Sequence, residues 1–225
     1  MRHELLIDGF VITSDNSAAI GGKEQDVIKV SDAVTAKFAA RVALLEQWAA
    51  GSEPQAILIH NFSGASSWDY YVEGVTELFA EAQSALPLIS GSTETNMPTV
   101  QSGISITMIG KEQRKQMSVG SLQWFVYGVP LVGQEVLTNV HQTANLALLK
   151  KALDLSLVER VWPVGSKGLA EELELLMKRP VKIPTLLDTK KSSGPATCVL
   201  VGVQHENAER ALRYFGEHVY LVEFV

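Results

Sequence analysis

One cysteine, Cys198, stands alone among 225 residues. A single thiol excludes an internal disulfide framework and a cysteine-rich zinc site, and it fits a reducing compartment. A basic excess is missing too. Lys and Arg number 19 against 25 Asp and Glu, for a net charge of −6. Duplex nucleic-acid binders carry a strong basic footprint, so nucleic acid is not an expected partner. No run approaches the roughly 18 apolar residues needed to span a bilayer. The opening MRHELLIDGF has no long apolar stretch ending in a small-residue cleavage site. No membrane partner is expected, and the cytoplasm is the expected compartment. The common catalytic strings are absent as well: no Walker phosphate loop, no G-x-S-x-G, no H-E-x-x-H and no C-x-x-C.

What is present is an ordinary globular composition, 46% apolar and 20% charged. Leu5-Leu6-Ile7 and Phe10 to Thr13 flank Asp8-Gly9, a hairpin signal. The small polar string from Ser14 to Lys23 reads as a strand end running into a loop. From about Ser31 to Ala50, Val34, Phe38, Val42, Leu45 and Ala49 recur at helical spacing, and Ser31 or Asp32 is an N-cap candidate. Ala56 to His60 reads as a buried strand, and the stretch after Trp68 as a second helix. Gly91 to Asn96 (GSTETN) reads as a polar loop. Ser102 to Gly110 alternates as a strand. Lys111 to Ser118 reads as a connector. Two domains are therefore expected, residues 1–115 and 116–225, and the βαβα-like order predicts an α/β or α+β layered fold. In the second, Gln134 to Leu155 reads as a long helix-prone stretch.

Three carboxylates in separate elements carry the chemistry this sequence offers. Asp15 falls at the expected strand end, Glu46 near the end of the first helix, and Glu94 in the GSTETN loop. Magnesium takes hard oxygen ligands, usually one or two carboxylates plus substrate phosphates. Each has a plainer role beside it: an Asx-turn for Asp15, a solvated helix face for Glu46, a polar turn for Glu94. Gly21-Gly22-Lys23 resembles a phosphate loop only in composition. Gly165-Ser166-Lys167-Gly168 is equally readable as an anion-holding helix start or a helix-opening turn. His60, beside Asn61 at a strand end, is the most site-like histidine, with a hydrogen-bonded structural role as the plainer alternative.

Taken in order, SDNSAAIG, LLEQWAAGSEPQAILIH, ISGSTETNMPT and SGISITMIG resemble the N-terminal domain of the AIR synthase and thiamine-monophosphate kinase (PurM-like) superfamily. GVPLVGQEVL, GSKGLAEEL and SSGPATCVLV resemble parts of its second domain. The DNS-x-x-IG, GSTE-x-N and SGPA strings are closest to alpha-ribazole kinase, an enzyme of cobalamin nucleotide-loop salvage. The resemblance implies an N-terminal mixed-sheet domain with helices on one face, followed by a reduced C-terminal α/β domain. It also implies a homodimer and ATP- and magnesium-dependent phosphorylation of a small-molecule acceptor. Asp15 falls on the family's strand aspartate, Glu46 on its helix acid and Glu94-Thr95 on its acidic loop. Expected roles follow: magnesium at Asp15, Glu46 and Glu94; catalysis at Asp15 and Lys23; ATP or phosphate binding at Asn16, Ser17, Gly21, Gly22, Asn61 and Thr95. An AIR synthase-like cyclo-ligase and a non-catalytic nucleotide-binding dimer module are the alternatives.

Overall fold

The computed structural model describes residues 4–178, 181–182 and 186–224. They form two compact units, Met1–Arg114 and Lys115–Val225.

In the first unit, β1 (Leu5–Ile7) and β2 (Phe10–Ala18) form the expected hairpin. Asp8 and Gly9 both take positive φ, 48° and 78°, the backbone a two-residue turn of matching twist requires. Two short strands, β3 (Ile20–Gly21) and β4 (Ile28–Lys29), pair in parallel. Then come α1 (Asp32–Ala49), β5 (Ser52–Asn61), α2 (Trp68–Glu81), β6 (Leu88–Thr93) and β7 (Gly103–Glu112). The main sheet has the order β1-β2-β7-β5-β6. Every pair is antiparallel except β5 with β6. Alternation decides the faces. Val11, Thr13, Ile57, Ile59, Ile104, Ile106 and Met108 are buried on the helix side. Phe10, Ile12, Leu58 and Ile109 point the other way and are half-buried or exposed.

Helix α1 lies close on the sheet because the face it presents is made of alanines. Ala36, Ala40 and Ala43 are fully buried. The Thr13 hydroxyl donates to the Ala43 carbonyl at 2.9 Å, and Gln47 Nε2 donates to the Val11 and Met108 carbonyls, each at 3.0 Å. The expected stripe was Val34, Phe38, Val42, Leu45 and Ala49. Of these only Leu45 is buried, the others lying at the margin. A bulky stripe would hold the helix away and leave Gln47 short of those carbonyls. Ser31 caps α1, accepting from the Val34 amide.

The strand end expected within Ser14 to Lys23 falls at Ala18, the last residue of β2. Two other expectations are corrected. Gly91 to Thr93 belong to β6, where Gly91 lies so close to the Ile59 carbonyl that a Cβ would collide with it. The long helix of residues 134–155 is broken. Its pieces are α3 (Gln134–Thr138), a 3-10 turn at Val140–Gln142 and α4 (Leu146–Asp154). Asn145 stops the run by capping α4 through the Leu148 amide.

The second unit holds β8 (Gln123–Tyr127), α3, α4, β9 (Arg160–Pro163), α5 (Gly168–Met177) and β10 (Val181–Lys182). It continues with β11 (Val199–Val203), α6 (Ala208–Phe215), β12 (Val219–Leu221) and β13 (Glu223–Phe224). Its antiparallel sheet runs β12-β8-β11-β9, over a core of Trp124, Val126, Leu169, Leu173 and Leu200.

Helices α1 and α2 meet where Gly74 faces Ala33. A Cβ at Gly74 would collide with the Ala33 carbonyl. Overpacking costs about 1–3 kcal/mol, which outweighs the gain of about 1 kcal/mol from replacing a helical glycine. Gly74→Ala is therefore expected to lower stability in urea titrations, against its helix propensity. A more stable variant would refute the close contact.

Candidate functional site

A cleft of about 320 Å³ opens in the first unit among Lys23, Ser63, Gly64, Ala65, Glu94, Thr95, Met97, Pro98 and Thr99. Three segments build it, and a buried carboxylate holds the first in place.

That carboxylate is Asp26. It accepts from the Lys23 amide at 2.8 Å, and from the Ser102 amide and hydroxyl, each at 2.7 Å. Burial pushes its pKa up. The Ser102 and Lys23 hydrogen bonds outweigh that, helped by the charge of Lys29, and the net result lies below the ordinary 3.8. Gly21 must be small here, since a Cβ would collide with the Ser102 side chain. With its backbone fixed, Lys23 extends its ammonium to the Thr99 carbonyl, at 2.8 Å, and to the Thr99 hydroxyl.

The second segment follows β5. Asn61 is buried and acts as a bracket. Its Oδ1 accepts from the Ser63 amide at 2.8 Å, and its Nδ2 donates to the Gly64 carbonyl at 2.8 Å and the Thr93 hydroxyl at 3.2 Å. The buried Ser63 hydroxyl meets Tyr71 OH at 2.6 Å and accepts from the Gly103 amide at 2.9 Å. Burial is the main reason the Tyr71 pKa is pushed up to about 12, with Asp32 and Asp26 adding to it against the Ser63 hydrogen bond. Tyr71 therefore remains a neutral phenol near neutral pH. Gly64 leads through a 3-10 turn, Ala65–Ser67, into α2, so the cleft lies by that helix's positive end.

The third segment follows β6. Glu94 is fixed by its amide on the Asn61 carbonyl at 2.8 Å. Its Oε1 accepts from the Asn96 and Met97 amides at 2.6 and 3.1 Å, which lowers its pKa and keeps it ionised. The Thr99 hydroxyl donates to the Phe62 carbonyl at 2.8 Å, joining this loop to the second segment.

The structure thus brings Lys23, Glu94 and Thr95 together in one cleft, with Asn61 directly behind it. Gly21 and Gly22 carry the loop that presents Lys23, and the Gly22 amide donates to Asp32 at 3.3 Å. Asp15 lies mid-strand opposite Ile106, half-buried on the helix side. Ser17 is opposite Ile104 on that same side, while Asn16 is exposed on the other face. None of these three lines the cleft. Glu46 corrects the solvated-face reading, being buried within α1 at 2% exposure. Among the described residues no three His, Cys, Asp or Glu side chains are grouped to hold a metal ion. His60 is on the open sheet face, opposite Ser105 and Ser92. The Gly165–Gly168 segment is a turn whose helix-start amide at Ala170 is taken by the Thr189 carbonyl.

Sequence reading missed Asp26, Ser63, Gly64, Met97 and Thr99. The one signal for Asp26 was its place three residues after Lys23, in an otherwise generic polar loop. For Ser63-Gly64 the signal was the Asn61-x-Ser-Gly string after a buried strand.

No protein-family model matches the chain, and no curated protein does. Solved structures do. Hydrogenase maturation protein HypE in complex with ATP superposes at a TM-score of 0.62 and 12% identity, over 98% of this chain and 78% of that one. Thiamine monophosphate kinase from Aquifex aeolicus does so at 0.62 and 12%, over 98% and 87%. AaThiL complexed with AMPPCP and TMP does so at 0.64 and 12%, over 99% and 84%. At these identities the likeness concerns the fold alone, a mixed α/β fold that this chain shares with these proteins.

Asp26→Asn tests the carboxylate that holds the Lys23 segment. Removing the anion from three donors should cost about 1–3 kcal/mol near neutral pH. The folded pKa is depressed, so this contribution is fully present above 3.8 and fades as pH falls through the folded value. Urea titrations should show the gap between parent and variant narrowing below pH 3.8. A gap constant with pH would contradict the ionised assignment.

Proposed function

We propose that the first unit binds ATP in the Lys23–Glu94 cleft and that the protein is an ATP-dependent small-molecule kinase. The observation that carries this reading is the cleft itself. Lys23, the Gly64–Ala65 turn that leads into α2, Glu94 and Thr95 line one space, in a fold whose solved counterparts include complexes with ATP and AMPPCP. Phosphoryl transfer asks a protein mainly to position groups and neutralise charge. In this reading Lys23 meets a phosphate oxygen, the Gly64–Ala65 backbone faces the same charge, and Thr95 orients it. Of the three expected carboxylates Glu94 lines the cleft, and in this reading it meets magnesium delivered on the nucleotide's phosphates.

The acceptor proposed is alpha-ribazole or a related riboside, on the strength of the DNS, GSTE and SGPA strings. A homodimer is proposed through the open sheet face, where Phe10, Ile12, Leu58 and Ile109 stay incompletely buried. The separation of Asp15 and Glu46 from the cleft favours a second reading, a nucleotide-binding dimer module without transfer chemistry. The two readings differ in product, since only the kinase converts a riboside to its phosphate by mass spectrometry.

Lys23→Ala removes a charged donor worth about 1.5–3 kcal/mol. Calorimetry should show ATP binding weakened about ten- to hundredfold, with an unchanged melting temperature. Unaltered ATP affinity in this variant would contradict the site.

A further inference from the structure

The cleft has a second wall that phosphate chemistry does not use. Met97 and Pro98 line it, and Met97 is 71% exposed. Val100 beside them is also exposed. Apolar side chains on a surface loop are ordinary when the loop is free to fold them away. This loop is not free. Glu94 holds the Asn96 and Met97 amides, and Lys23 and the Phe62 carbonyl hold Thr99. Gln101 donates to the Gln25 carbonyl, and Asp26 accepts from the Ser102 amide. The backbone bonds therefore keep the thioether and the pyrrolidine ring in water, facing the space that holds the Lys23 ammonium.

A space lined by the Lys23 ammonium, the Glu94 carboxylate and a fixed apolar wall suits a ligand that joins a charged group to a flat apolar ring. An inorganic anion would use only the lysine. A neutral apolar molecule would desolvate the ammonium without compensating it. A volume of about 320 Å³ is within the range of small-molecule sites, and a thioether makes favourable contacts with aromatic rings. We propose that Met97 and Pro98 seat the aromatic base of the nucleotide whose phosphates meet Lys23. This rests on the nucleotide reading above and adds the determinant that separates a nucleotide from bare polyphosphate.

The test compares ATP with inorganic tripolyphosphate on the full chain by calorimetry. Met97→Ala combined with Pro98→Ala should weaken ATP about tenfold and leave tripolyphosphate within about twofold. Lys23→Ala should weaken both ligands. Both wall positions are exposed, so the double variant should keep its melting temperature. Three results would overturn the base seat while leaving the nucleotide reading in place: parental ATP affinity in the double variant, an equal loss for both ligands, or a change in self-association alone. Unchanged binding of both ligands in Lys23→Ala would overturn the nucleotide reading itself.

Discussion

The cleft depends on one buried anion. The segment from Ala19 to Val30 has two-residue strands and a few backbone bonds to hold it, among them the Ala19 amide on the Ser102 carbonyl at 2.9 Å. Asp26 supplies the rest by accepting three hydrogen bonds, two from Ser102 at the entry to β7. A charge in that position would be costly without those donors. With them it stays ionised and joins two stretches 76 residues apart in sequence. Lys23 reaches Thr99 because of that junction, and Thr99 in turn reaches Phe62. Three loops from the ends of β2, β5 and β6 thereby become one rigid rim.

The sheet below has a division of labour between its faces. On one side alanines and Gln47 draw α1 close to β2 and β7. On the other, apolar side chains near the hairpin end give way along the strands to Ser14, Asn16, Ser105 and His60. The cleft is built from loops that follow β2, β5 and β6, so its residues can vary without disturbing the alanine-packed layer. Loops on a rigid scaffold are where binding residues concentrate.

Much of the first unit was legible from local patterns. Asp8-Gly9 between two apolar runs named its hairpin, and SGISITMIG named β7 by alternation alone. The misreadings share a cause, which is that tertiary packing decided what local pattern could not. The alanine face of α1 carries weak apolar signal beside Val34 and Phe38, yet only small residues allow the close approach. Glu46 looked solvated because a helical wheel does not show which side a sheet covers. GSTETN looked like a loop because three small polar residues can equally be a strand paired in parallel with β5. Among the site residues, Lys23, Glu94, Thr95 and Asn61 were found because glycines or a strand end stood beside them. Asp26, Ser63 and Met97 act through partners dozens of residues away or by exposure, and neither leaves a local trace.

The account stands on the claim that a nucleotide occupies the rim formed by these three loops. Photolabelling with 8-azido-ATP, followed by peptide mapping, addresses it directly. Label should fall on the peptide carrying Glu94 to Gln101 and be displaced by excess ATP. Displaceable label confined to residues 115–225, or none at all, would contradict the assignment.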